Sequence, residues 1–331
     1  MLRLGARQSS RWIRVASLRW HSTANASDPS SRFSSLDPSS PSDARRAGAL
    51  LAHIAQTRRR QGDFVPKDMT ADLCAAYPTW CADGKRTFLQ ELAGMGASDE
   101  SGAAALKAAA DKFMAVRFSG EADPGSYGGA ELALRSALKP DFEYVLQTLV
   151  AHNNGGQGMQ FVVGLREDVL SALRREDCPM LRYLDGSMAR LLRAWFSEAF
   201  LEMHRVTWQS SGSLLEKIGE GEKVHKMADG RKFRDLKVRL GPGRRCFAFM
   251  HPSMPGEPLV FIHVALVPGM AATLSELDRA TGSNMKGQEG EAGAAIFWSI
   301  SATQPGLAGV DLGSFLIKKV VMTLQQEWPV T

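Results

Sequence analysis

Between Ala295 and Trp328 the hydrophobic pattern of the chain changes period within a few residues, and this constrains the fold more than any other stretch. A compact apolar run, Ala295 to Ile300, reads as a buried strand. A loop carrying Gly306, Gly309 and Gly313 follows, and from about Val310 a helical pattern begins. In it Val310, Phe315, Ile317, Val320, Val321 and Leu324 favour one side. A strand, a glycine-bearing turn and a helix start form a recurring phosphate cradle. The first-turn N–H groups have no partner within the helix, and the helix dipole favours an anion there. The spacing matches neither the P-loop nor the dinucleotide fingerprint, so this motif alone leaves the ligand open.

The chain that leads into this stretch is mostly helical. From Ala44 to Phe196 the apolar residues recur at three and four. Ala47, Leu50, Leu51 and Ile54 open a first helix, which runs into the basic Arg58-Arg59-Arg60. Residues Ala103 to Phe118 form an alanine-rich helix. Leu132, Leu134, Leu138, Phe142, Val145, Leu146 and Leu149 supply a further pattern, interrupted at Pro140 and stopped at Asn153–Gly156. Met159–Arg174 and Ser187–Phe200 are amphipathic. No strand of clear alternation precedes residue 240. Residues 44–196 are therefore expected to form an all-α bundle without chemistry of its own, with His53 and His152 as surface or packing residues.

After residue 200 the texture becomes mixed. Cys246–Met250 and Leu259–Val267 are strand candidates. The proline-rich turn between them, His251 to Pro258, makes them a hairpin. Together with the strand at Ala295–Ile300 this gives an α+β chain, with an all-α N-terminal part and a mixed sheet domain over 197–331.

The formal charge of +5 would invite a nucleic-acid reading, but five arginines within residues 1–27 (Arg3, Arg7, Arg11, Arg14, Arg19) account for all of it. The remainder is neutral, so the folded part has no excess to attract a polyanion. Residues 1–27 contain no acid and have the composition of an organellar transit peptide. Residues 28–43 are a Ser/Pro/Asp-rich linker that cannot bury enough apolar surface to order itself. No run of eighteen apolar residues exists for a membrane span. The four cysteines, Cys74, Cys81, Cys178 and Cys246, lack zinc spacing and read as reduced packing residues.

Few residues offer chemistry on their own. His251 and Glu257 share one turn, where an acid/base role competes with backbone capping. His263 lies within an apolar strand and reads as a satisfied core histidine. Ser299, on the strand feeding the glycine loop, is placed to reach a ligand but has no assignable base. With Glu257 it is the candidate pocket wall.

Several segments taken together are more specific. RVTW (205–208), GPGRRCFAF (241–249), HPSMPGEPLVFIHVAL (251–266), AAIFWSISATQPGLAGVDLGSFLIKKVV (294–321) and LQQEWP (324–329) resemble the malonyl-CoA decarboxylase family. GMQFVVGLREDVL (158–170) is similar to part of that family's helical domain. The likeness covers residues 130–331 well and 44–130 weakly. It implies a helical oligomerisation domain followed by a partial GNAT-like, acetyltransferase-type domain. The activity implied is a carboxy-lyase that converts malonyl-CoA to acetyl-CoA and carbon dioxide without metal or other cofactor. By the same resemblance the malonyl-CoA contacts fall on Ala308, Gly309, Val310, Asp311, Leu312, Gly313 and Ser314, Asp311 standing where members usually carry Glu. The family's disulfide cysteine would fall near Gly212, so redox-controlled assembly is not carried over. The family's catalytic serine and histidine fall beyond Thr331, so no catalytic residue is assigned within the chain, which is expected to be an incomplete version of the enzyme unable to turn over fully. A mitochondrial matrix location is expected, a plastid-type organelle being the alternative. Two other readings stand beside this one: a non-catalytic fragment that pairs with full-length subunits, and an acyltransferase acting on an amine.

Overall fold

The computed structural model describes parts of residues 44–51 and then residues 73–96, 100–119, 123–152, 157–227, 230–271, 273–281, 289–310 and 312–327. The transit-peptide and linker expectations, His53, the Arg58–Arg60 run and Asp311 lie outside the described residues, as does the side chain of His152.

Among the described residues, the first half carries the helices α1 (Ala82–Gly94), α2 (Glu100–Phe118), α3 (Pro124–Ala137), α4 (Asp141–His152), α5 (Gln157–Arg175) and α6 (Pro179–Trp195). Their ends follow local chemistry. The Cys81 sulfur accepts the Gly84 N–H ahead of α1. Asp123 accepts from Gly125 and Ser126 ahead of Pro124, a residue suited to a first turn because it has no N–H to satisfy. In α5 the buried residues Met159, Val162, Val163, Arg166 and Val169 repeat at three and four, giving a single inward stripe. Leu181, Leu184, Met188 and Leu192 do the same in α6. Helices α2 and α3 pair with one another, Phe113 and Tyr127 meeting at 5.6 Å. Leu132 and Leu138, which the periodicity placed in a core, are exposed there.

The second half is a four-stranded antiparallel meander, β1 (Glu202–Val206), β2 (Arg244–Met250), β3 (Val260–Val267) and β4 (Ala294–Ala302), each strand paired to its sequence neighbour. The β2–β3 hairpin and β4 agree with the sequence reading. Strand β1 adds to it, preceding residue 240 without the clear alternation that the sequence reading looked for. Its residues Glu202, Met203, His204 and Arg205 face solvent wholly or partly and only Val206 is buried, so this edge strand has no apolar alternation to read. Helix α7 (Gly212–Gly221) and α8 (Lys232–Arg239) lie between β1 and β2, α9 (Leu274–Ala280) between β3 and β4, and α10 (Gly313–Glu327) follows β4. The helical pattern sensed from Val310 thus starts three residues later.

The period-two geometry of the strands divides the sheet into two faces. Phe247, Phe249, Ile262, Val264 and Leu266 point one way, into a core shared with the bundle and with Leu316, Val320 and Leu324 of α10. Cys246, Ala248 and Phe261 point the other way, against Leu215 and Ile218 of α7 and Leu236 of α8. Ala265 and Val267 continue that second face onto Leu277 of α9.

Candidate functional site

Strand β4 ends at Ala302, and the chain turns through a 3-10 segment (Pro305–Leu307) before α10 begins at Gly313. Leu307, Val310 and Leu312 are buried and anchor the turn by their side chains. The turn also closes on itself, Leu307, Ala308 and Val310 N–H donating to the carbonyls of Gln304, Pro305 and Leu307 at 3.0 Å each. Two glycines are required by geometry. Gly309 has φ of 74°, a left-handed conformation that L-residues with a Cβ disfavour. At Gly306 a Cβ would stand 1.9 Å from the Val163 carbonyl oxygen of α5, so only glycine admits that approach. Ala308, Gly309, Val310 and Leu312 therefore form the turn, and Gly313 and Ser314 are the first residues of α10, whose opening N–H groups lack helical partners.

The bundle holds this turn from behind. Arg166 Nη1 donates to the carbonyls of Gly306 at 2.6 Å and Ala308 at 2.9 Å, and its Nε donates to Asp185 of α6 at 2.8 Å. Arg193, also of α6, donates to the Gly309 carbonyl at 3.3 Å.

Ser299 and Glu257 lie elsewhere. Between His263 and Val264 the β3–β4 register slips, His263 opposing Ser299 while Val264 opposes Phe297. Trp298 is the extra residue, and the bulge turns both Trp298 and Ser299 onto the face covered by α7 and α8. There the Ser299 hydroxyl donates to both carboxylate oxygens of Glu222, each at 2.9 Å. Glu257 takes Lys217 of α7 at 2.6 Å on the β2–β3 turn. The structure thus does not bring Ser299 and Glu257 together. His251 is buried against Phe196, with Nδ1 accepting the Ser253 N–H at 3.0 Å, a turn-capping contact.

Glu222 was missed by sequence reasoning and is the centre of a buried polar network. Its wholly buried carboxylate also accepts from Ser301 at 3.1 Å and from the Val224 and His225 N–H groups at 2.9 and 3.1 Å. Arg239 Nη1 lies 3.3 Å away and His263 Nε2 3.6 Å away. Burial by itself would raise the Glu222 pKa, but the His225 N–H, the Ser299 hydroxyl and the neighbouring His263 hold it below the ordinary value. His263 is pushed down to about 4, chiefly by burial. The signal available was the pair Ser299 and Ser301, two hydroxyls at strand period in an otherwise apolar run.

These features define an α+β protein in which a helical bundle braces a strand–glycine turn–helix junction. A family model described as the malonyl-CoA decarboxylase N-terminal domain matches residues 101–196, and one for the C-terminal domain of the same family matches residues 199–331. The chain belongs to the malonyl-CoA decarboxylase family. It is 40% identical over 202 residues to the mitochondrial malonyl-CoA decarboxylase of Rattus norvegicus, covering 60% of this chain and 40% of that protein. The Mus musculus protein of the same name is 41% identical over 202 residues, with the same coverage. The chain thus spans about 40% of the length of these curated relatives. Among solved structures, malonyl-CoA decarboxylase from Agrobacterium vitis superposes with a TM-score of 0.71 at 29% identity, covering 87% of this chain and 63% of that one. The Rhodopseudomonas palustris enzyme gives 0.69 at 32% identity, covering 86% and 64%.

Proposed function

We propose that this chain binds coenzyme A thioesters at the turn from Ala308 to Ser314 and serves the decarboxylation of malonyl-CoA in the mitochondrion. The observation that carries the reading is the match of both family domains, in order, onto a chain in which a turn with Gly309 at a positive φ leads into the N-terminus of α10, the kind of place where a phosphate can be held. In this reading the sheet domain is organised as in acetyltransferases of the GNAT type. The reaction breaks the bond to the free carboxylate, carbon dioxide leaves, and its electron pair passes into the thioester as an enolate. Protonation of the former methylene carbon then gives acetyl-CoA. The thioester is the electron sink, so no cofactor is invoked. Positioned donors facing the developing oxyanion contribute about 3–4 kcal/mol each in sites of this kind.

The test is direct. Purified chain is titrated with CoA by calorimetry and incubated with malonyl-CoA while acetyl-CoA is followed by mass spectrometry. Saturable CoA binding supports the reading. Absence of both binding and acetyl-CoA formation overturns it.

A second reading, assembly with further copies or full-length subunits through the helical domain, is favoured by α2 and α3. Phe118, at the end of α2, is 74% exposed and Leu132 of α3 69%, two large apolar side chains open to solvent on this helix pair.

A further inference from the structure

The residue that shapes the glycine turn belongs to the other half of the chain. Arg166 is only 3% exposed, on the inward stripe of α5 among Val162, Val163 and Val169. A guanidinium buried among valines is costly unless every strong donor direction is used. Here Asp185 balances its charge, and the two carbonyls of Gly306 and Ala308 take its Nη1. The fixed, planar fork of arginine suits three acceptors held at once, whereas a lysine ammonium on a flexible stem would not reproduce that geometry.

The orientation of those carbonyls has a consequence for the opposite side of the turn. In a trans planar peptide the C=O of one residue and the N–H of the next point in opposite directions. Drawing the Ala308 carbonyl onto Arg166 therefore turns the Gly309 N–H away from the bundle. It also withdraws the carbonyl oxygens, which would repel a phosphate, and sets a positive charge behind the turn. Arg193 of α6 holds the Gly309 carbonyl as well, while the Val310 N–H that follows it stays on the Leu307 carbonyl within the turn. Contact is close enough that Gly306 and Val163 leave no room for a methyl group between them, so the turn cannot shift without the bundle.

We propose that Arg166 is a positioning residue of the CoA phosphate site: it touches no ligand, and it sets the donor side of the turn, making the helical bundle part of the site. This rests on the reading of the turn as the place where CoA phosphates are held.

The experiment compares wild type with Arg166→Lys and Arg166→Ala in the full chain. CoA and phosphate-free pantetheine are titrated, and amide exchange is followed over residues 305–312. Arg166→Lys keeps the charge opposite Asp185, so it remains informative if Arg166→Ala fails to fold. The expected result is CoA affinity reduced tenfold or more in Arg166→Lys, pantetheine binding unchanged, and faster exchange confined to the turn. General loosening of the fold would weaken both ligands alike and speed exchange throughout, which would overturn the assignment. Unchanged CoA affinity with unchanged exchange in Arg166→Lys would overturn it as well. If wild type itself binds no CoA, the reading of the turn as a CoA site fails. The exchange comparison then still decides whether Arg166 sets the turn, unaltered exchange in the lysine variant sinking that too.

Discussion

The imidazole of His263 stacks on the indole of Trp298, centroids 5.0 Å apart and planes within 24° of parallel. The two meet because of the bulge in β4, which puts Trp298 on the same face as Ser299 instead of the opposite one. Arg239 and Arg244 both lie over the same indole, at 5.1 and 5.2 Å from ring centroid to guanidinium carbon. His263 is thus enclosed by an aromatic plane, two cations and one carboxylate.

This enclosure sets a pH dependence. The folded-state pKa of His263 is depressed from 6.5 to about 4, first by burial and then by Arg239 and Arg244 against the opposing pull of Glu222. Between those values the unfolded chain binds the proton that the folded chain refuses, so stability rises with pH in this window and falls on acidification. The slope approaches about 1.4 kcal/mol per pH unit. Urea unfolding of wild type at several pH values from 7 to 4.5 should show the midpoint falling, and His263→Gln should flatten the fall. Equal slopes in the two proteins would refute the role given to His263.

Removing the carboxylate at the centre should be more severe. Glu222→Ala strips an acceptor from Ser299, Ser301 and two backbone N–H groups and leaves Arg239 without its counter-charge. A loss of about 3 kcal/mol is expected, the usual cost of breaking a buried pair from one side. Denaturant titration measures it, and a change below about 1 kcal/mol would contradict the network as drawn.

The two turn glycines should separate packing from conformation. Gly306→Ala forces a methyl into the Val163 carbonyl and should destabilise the fold by about 2 kcal/mol, as overpacking does. Gly309→Ala meets nothing within 4 Å but must hold a φ of 74°, so its stability cost should be nearer 1 kcal/mol while CoA affinity falls. Calorimetry on both variants decides. Equal CoA affinity in wild type and Gly309→Ala would count against the cradle.

Phe118→Ser combined with Leu132→Ser removes apolar surface that the chain itself does not cover. Light scattering should report a smaller assembly than wild type, with urea stability within about 0.5 kcal/mol, as for surface substitutions away from packed features. An unchanged mass would exclude this face from the assembly.

The strand–turn–helix junction was legible because a change of period and three glycines are local signals. The β2–β3 hairpin was legible for the same reason, its proline-rich turn lying between two apolar runs. Arg166 and Glu222 were not, because each acts on residues far along the chain. Arg166 reaches the turn 140 residues on, and Glu222 meets Ser299 77 residues on. The bulge hid the second relation further, since strict alternation from Ser301 places Ser299 on the covered face but cannot place Trp298 beside it. Strand β1 escaped notice because an edge strand with one buried residue has no periodic signature.

The largest core does not respect the division between the two family domains. Phe142, Leu146 and Val162 from the bundle share it with Phe249, Ile262 and Val264 from the sheet and with Leu316 and Val320 from α10. Cleaving the chain near residue 197 would therefore expose a greasy wound on both products, and neither half is an independent building block. The chain should melt in a single transition, its helical and sheet signals vanishing together.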